Sequence, residues 1–153
     1  MSSGFVVRPV TQQDFDQWLP LWAGYNAFYG HAGKTALPDD IVRTTWGRFF
    51  AAHEPVHALV AESGGQLLGL VHYLFHRSTI VIEPVCYLQD LFTAEAARGK
   101  GVGKALIEGV YENARADGIS RVYWHTHEAN RTARRLYDSV AENSGFIVYR
   151  KQL

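Results

Sequence analysis

Residues 86–116 constrain this chain more than any other stretch. They read as a strand (Cys86–Thr93), a glycine-rich basic turn and a helix (Val102–Ala116), with the turn written Arg98-Gly99-Lys100-Gly101-Val102-Gly103-Lys104. The first N–H groups of a helix have no partner inside it, and the helix dipole adds partial positive charge at that end. Glycines let the backbone close on an anion without a Cβ in the way, and Arg98, Lys100 and Lys104 add mobile positive charge. The junction is therefore expected to cradle a phosphate group.

Two common phosphate loops do not fit it. A Walker A loop needs Gly where Arg98 stands, and a Ser or Thr where Ala105 follows Lys104, so no hydroxyl is available for magnesium. The dinucleotide pattern G-x-G-x-x-G fails because Gly101-Val102-Gly103 is followed three residues later by Leu106. What is left is Arg-x-x-Gly-x-Gly between a strand and a helix.

At Arg98, Gly101 and Gly103 the chain resembles the GCN5-related N-acetyltransferase family, whose signature is Gln/Arg-x-x-Gly-x-Gly/Ala. A second match lies downstream, where Asn130 precedes Tyr137 by seven residues. That spacing is close to two helical turns and puts both side chains on one face. Asn130 also suits a helix N-cap. Taken alone, Tyr137 would read as a core tyrosine.

The resemblance implies that the loop, from Arg98, Gly99 and Lys100 through Gly101, Val102, Gly103 and Lys104, binds the pyrophosphate of acetyl-CoA. It implies that the pantetheine arm lies along Leu91, Phe92 and Thr93 and is bonded by Asn130. Tyr137 would protonate the departing thiolate. A backbone N–H in that strand would polarise the thioester carbonyl, a main-chain role that side-chain identity does not reveal.

Tyr87-Leu88-Gln89-Asp90-Leu91-Phe92-Thr93 is similar to the corresponding strand of diamine N-acetyltransferases and of the yeast branch that acetylates histones, polyamines or D-amino acids. Those polyamine enzymes carry Glu where this chain has Gln89, and an amide can neither accept a proton nor neutralise an ammonium. Asp90 is the nearest carboxylate and a candidate base through water, or else a structural carboxylate. Alternation points it away from Gln89 unless a bulge intervenes. Ammonium acceptors must lose a proton before attack, so some acceptor group or water path is required.

The first helix and the loop after it usually wall the acceptor site in this family. Tyr25, Tyr29 and His31 are accordingly candidates beside Gln89, although Trp22, Tyr25, Phe28 and Tyr29 also suit a core. His125-Thr126-His127 alternates on an expected strand, so both imidazoles would share a face. No third ligand accompanies them, so no metal is expected, and His125 reads as an acceptor-pocket residue. His31, His53, His57, His72 and His76 are scattered and carry no metal pattern.

Length and composition agree with this reading. A chain of 153 residues has the size of one domain, 1–153. Fifteen basic and fifteen acidic residues leave no net field to gather nucleic acid. The single cysteine, Cys86, excludes an intrachain disulfide and a cysteine-rich zinc site, and no recognisable base stands near it for an acetyl-cysteine route. No apolar run approaches the ~20 residues of a membrane span, and no signal-peptide core is evident, so a cytoplasmic protein is expected.

Along the chain, strands are expected at 5–10, 56–61, 66–75, 84–93, 121–126 and 146–151. Helices are expected from Thr11 to about Phe28, from Pro38 to Ala52, from Val102 to Ala116, and from Asn130 onward. This β-α-α-β-β-β-α-β-α-β order is that of the family. It implies an α/β (α+β) fold with a mixed sheet of about six to seven strands flanked by about four helices, splayed open after the strand that precedes the loop. The activity implied is acetyl transfer from acetyl-CoA to the primary amine of a small molecule by direct attack in a ternary complex. A protein or peptide lysine or N-terminal acetyltransferase is the alternative, and a non-catalytic acyl-CoA sensor the third reading. Exposed edge strands in this fold often pair as homodimers.

Overall fold

The computed structural model describes residues 4–153. Its order is β1 (Val6–Pro9), α1 (Phe15–Phe28), α2 (Asp39–Arg48), β2 (Val56–Ser63), β3 (Gln66–His76), β4 (Val85–Thr93), α3 (Val102–Ala116), β5 (Val122–Tyr123) and α4 (Arg131–Val140). The strands lie in sequence order in one sheet. β1 to β4 are antiparallel neighbours, whereas β5 runs parallel to β4. The β2–β3 hairpin turns on Gly64 and Gly65, whose φ values of 57° and 84° are those a two-residue turn with left-handed residues requires.

Two apolar layers sandwich the sheet. On one face Trp18, Leu21 and Trp22 of α1 pack on Ala58, Val60 and Leu70, and half-buried Trp46 and Phe49 at α2 close over them. Trp18 is 0% exposed, and truncating a tryptophan so buried removes about 3–5 kcal/mol of stability. On the other face α3 buries Val102, Leu106, Ile107, Val110 and Ala114 against Leu59, Val71, Tyr73, Cys86 and Leu88. α4 joins this layer only through half-buried Leu136, Tyr137 and Val140, and buries no residue fully.

α1 lies close to β4 because residue 24 has no side chain. A Cβ on Gly24 would stand 2.8 Å from the Phe92 ring. The helix begins later than expected, since Gln12–Asp14 forms a short 3-10 turn first. Asp14 closes that turn by accepting from the Thr11 N–H at 2.7 Å, and it takes two hydrogen bonds from Arg8 at 2.7 and 2.9 Å.

Two expectations about strands are corrected. Five strands are present among the described residues, and residues 146–151 take no place in the sheet. After α4, the Asn143 and Ser144 side chains accept from the N–H groups of Gly145 and Phe146 at 2.9 and 3.3 Å, and these local bends do not return the chain to β5. β5 is also shorter than the expected 121–126. It pairs with β4 only at Cys86–Val122 and Tyr87–Tyr123, after which the two strands separate. That separation is the expected splay, and it leaves Leu88 to Thr93 of β4 unpaired on that side.

Candidate functional site

The ladder between β3 and β4 slips at one point. His72 opposes Asp90 and Tyr73 opposes Leu88, which leaves Gln89 as an extra residue. On a regular strand Tyr87 and Asp90, three positions apart, would face opposite sides. The bulge lets both face α1, while Cys86 and Leu88 remain in the α3 layer. Gln89 itself is exposed.

Asp90 is 8% exposed and firmly held. His72 Nδ1 lies 3.0 Å from Asp90 Oδ2, and His72 Nε2 lies 3.0 Å from Trp18 Nε1. The Tyr25 phenol lies close enough to the same carboxylate to feel its charge. Burial first, and then the charge of Asp90, push the Tyr25 phenol far above its ordinary range, so it remains a proton donor. Burial and the same charge also raise Tyr29 and Tyr87.

Aromatic rings continue outward from Asp90. Trp22 stacks on Tyr25 at 5.1 Å, and Tyr25 meets Tyr29 at 4.8 Å. Tyr87 lies against His125, its hydroxyl 3.3 Å from His125 Nδ1. The Trp22 indole N–H is buried without an acceptor among the described residues, an orphan donor beside the Tyr25 and His72 rings.

Tyr137 belongs to the layer on the other face of the sheet. It is half-buried on α4, packed edge-on against Trp124 with centroids 5.4 Å apart. Burial, then the nearby Tyr29, raises its pKa, so at neutral pH it carries its proton. Asn130 caps α4 as expected, its Oδ1 accepting from Ala133 N–H at 3.4 Å.

The loop completes the arrangement at the end of β4. Gly101 is the N-cap of α3 with φ 82°, and Gly99 has φ 78°; open space stands where a Cβ would project from either. Such a bare backbone at a helix N-terminus suits a pyrophosphate. Gly103 has a different reason to lack a side chain, because its Cβ would stand 3.3 Å from Leu136 of α4. Of the basic residues, Arg98 bonds the Thr93 carbonyl and lies over the Phe92 ring, and Lys104 stands 3.9 Å from Glu108.

The structure thus gathers Tyr25, Tyr29, Tyr87 and Asp90 near one another, with His125 against Tyr87, whereas Tyr137 packs in the α3 layer on the other face of the sheet. His31 is outside this group by its recorded contacts: its backbone N–H bonds the Asn26 carbonyl at the end of α1 and its side chain is exposed. The expected strand alternation of His125 and His127 is corrected, since β5 has ended by Tyr123, and the two rings engage Tyr87 and Tyr29 separately. His72 and Trp18 were missed. The available signal was a histidine inside the otherwise apolar run Leu70 to Leu74. A depression of about 270 Å³ between β1 and α3, lined by Arg8, Glu108 and Glu112 among others, shares no residue with this cluster.

A sheet opened between two parallel strands, with a glycine-rich loop at the open end, defines an acyltransferase class of fold. Residues 18–141 match the acetyltransferase (GNAT) family. The D-amino-acid N-acetyltransferase HPA3 of Saccharomyces cerevisiae is 35% identical over 148 residues, 95% of this chain and 89% of the yeast protein. The uncharacterized N-acetyltransferase YhfO of Bacillus subtilis is 28% identical over 94% of each chain. Among solved structures, a probable acetyltransferase superposes with a TM-score of 0.83 at 23% identity, covering 97% of both chains. The aminoglycoside N-acetyltransferase AAC(6')-Iy in complex with CoA superposes at 0.80 and 18% identity, covering 97% of this chain and 94% of that one. The chain belongs to the GNAT acetyltransferase family and is an N-acetyltransferase.

Proposed function

We propose that the chain, acting as one domain, transfers the acetyl group of acetyl-CoA to the primary amine of a small molecule by direct attack in a ternary complex. The observation that carries this reading is a buried carboxylate among tyrosines, Asp90, on the strand whose edge is unpaired beyond Tyr87, together with a half-buried, protonated phenol, Tyr137, on the helix that follows β5. When bound, acetyl-CoA supplies the activated acetyl group. The Gly99–Lys104 backbone and Asn130 hold and orient it, and the unpaired edge of β4 from Leu91 to Thr93 receives its pantetheine arm.

Asp90 attracts the incoming ammonium and takes its excess proton through water, and the phenol rings of Tyr25, Tyr29 and Tyr87 exclude competing solvent. A backbone N–H freed at the bulge stabilises the oxyanion. Tyr137 gives its proton to the thiolate as the C–S bond breaks. Gln89 leaves long polyamines without the second carboxylate that would hold their distal amine, so a compact amine, such as an amino acid, suits the pocket better. The yeast relative, named for D-amino-acid acetylation, agrees in substrate size. A cytoplasmic location fits the supply of acetyl-CoA; among the described residues no helix is long and apolar enough to cross a membrane.

Thiol release from acetyl-CoA, measured across D- and L-amino acids, polyamines, aminoglycosides and lysine peptides, tests the proposal. Turnover concentrated on compact amines is expected. Turnover confined to lysine peptides would reverse the assignment.

A further inference from the structure

Two tyrosines near Asp90 are stacked together, yet neither apolar layer uses them. Tyr87 and Tyr123, the last register partners of β4 and β5, lie with ring centroids 5.0 Å apart and planes 27° from parallel. Both are half-buried, and neither packs into the layer under α1 or the layer under α3. His125 lies against the pair, at 5.2 and 5.9 Å. Tyr123 is held in place through its hydroxyl. A carbonyl can only accept, so His76 Nδ1 donates to the Arg77 carbonyl at 2.9 Å, and Nε2 of the neutral ring accepts from Tyr123 at 2.8 Å.

A second aromatic wall stands at the end of α1. Tyr29, 40% exposed, meets Tyr25 at 4.8 Å and the exposed Phe28 edge-on at 5.1 Å, and the His127 ring lies 6.1 Å from it. Residues 125–127 link the two walls, because His125 touches Tyr87 while His127 touches Tyr29, and two residues span at most about 7 Å. The charge of Asp90 acts on Tyr29 and Tyr87 alike, so the carboxylate stands near both. The two walls therefore meet around one buried carboxylate.

We propose that these walls receive an arylalkyl primary amine, its ammonium at Asp90 and its planar ring on Tyr87 and Tyr123. The proposal rests on the acetyl transfer to a small amine argued above and names the class of that amine. The face of an aromatic ring is its negative side, so it attracts both the edge of another ring and a nearby ammonium. Tyr87 and Asp90 are three positions apart, a reach of about 10 Å along a strand before the bulge shortens it. An ammonium hydrogen-bonded to the carboxylate takes up about 3 Å of that reach, and a two- or three-carbon spacer with half a ring fills the rest. Tyr123 is already bonded to His76, so stacking on it costs little further ordering. Aromatic amino acids and their decarboxylated amines share this chemistry and differ by one carboxylate.

Calorimetry on the CoA-saturated protein tests it by comparing 2-phenylethylamine with 2-cyclohexylethylamine, which has the same spacer and a similar size but no π face. The phenyl compound should bind about three- to tenfold more tightly, and kcat/KM for thiol release should follow the same order. This comparison uses the unmodified protein and needs no variant. Tyr123→Leu should bring the ratio to about one and Tyr123→Phe should keep it, with thermal unfolding checking that each folds. Phenylalanine of either hand separates the two sources. Binding as tight as that of 2-phenylethylamine assigns an amino acid, and binding more than tenfold weaker assigns the decarboxylated amine. Turnover of both test amines without a phenyl preference, or a preference that survives Tyr123→Leu, would overturn the aromatic site and leave acetyl transfer to small amines standing. Phenyl-selective binding without turnover would support the site and remove the acetyl-transfer reading instead.

Discussion

His72 Nδ1 stands 3.0 Å from Asp90 Oδ2, and this contact fixes the tautomer of a histidine that is 3% exposed. The Trp18 indole can only donate, so His72 Nε2, 3.0 Å away, must accept. Nδ1 then carries the proton and donates it to Asp90. Trp18 thus acts on the carboxylate through His72, and both are positioning residues for it.

The first prediction is spectroscopic. ¹⁵N-resolved NMR of the folded protein should show His72 protonated at Nδ1 and bare at Nε2. Trp18→Phe removes the donor that selects this tautomer and should shift the ring nitrogens. An Nε2–H signal in the unmodified protein would contradict the relay. Asp90→Asn keeps the shape but removes the proton acceptor, and should lower kcat by about 10²–10⁴-fold with a smaller effect on acetyl-CoA affinity.

Tyr137 tests the proton donor. Its phenol is held protonated by burial, which suits an acid and not a base. Tyr137→Phe should lower kcat by about 10²-fold and leave the dissociation constant of CoA, measured by calorimetry, within a few-fold. Equal losses in both would mean that the ring only shapes the CoA site.

The element order up to α4 and the glycine-rich turn before α3 were legible because their signals are local. Gly64-Gly65, the Asn130 cap and the Arg98–Lys104 turn each declare themselves within a few residues. The bulge at Gln89 was not legible, because a register slip is decided by the neighbouring strand, and here by the pairing of His72 with Asp90. The same holds for Trp18 and His72, which are 54 residues apart in sequence and meet only through packing. Phe146–Tyr149 has the composition of a strand yet takes no place in the sheet, because strand propensity does not decide pairing.

Cys86 distinguishes direct transfer from an acyl-enzyme. It is 0% exposed, and burial pushes its thiol up to about 12, so almost no thiolate exists at neutral pH. The native protein should not react with Ellman's reagent, and one equivalent should appear on denaturation. Cys86→Ala should retain turnover. Its stability should fall by about 1 kcal/mol through the lost sulfur packing. Loss of acetyl transfer in a folded Cys86→Ala protein would instead favour a covalent intermediate.

Acid sensitivity should trace to Asp14, at the junction of β1 and α1. Two hydrogen bonds from Arg8 hold its carboxyl below the ordinary 3.8, with the Thr11 N–H adding to them and burial opposing. Because the folded value is lowered, the unfolded chain binds the proton more readily. The stabilisation is therefore complete above the unfolded value and is lost as the pH falls through 3.8 toward the folded one. Asp14→Asn removes the charge-assisted bonds and should lower stability by about 1.5–3 kcal/mol at neutral pH. The gap between the two proteins, measured by thermal unfolding, should be flat from pH 7 to about 5 and narrow below that. A gap that widens on acidification would show that another carboxylate, such as Glu62 on the same arginine at 3.1 Å, carries the effect.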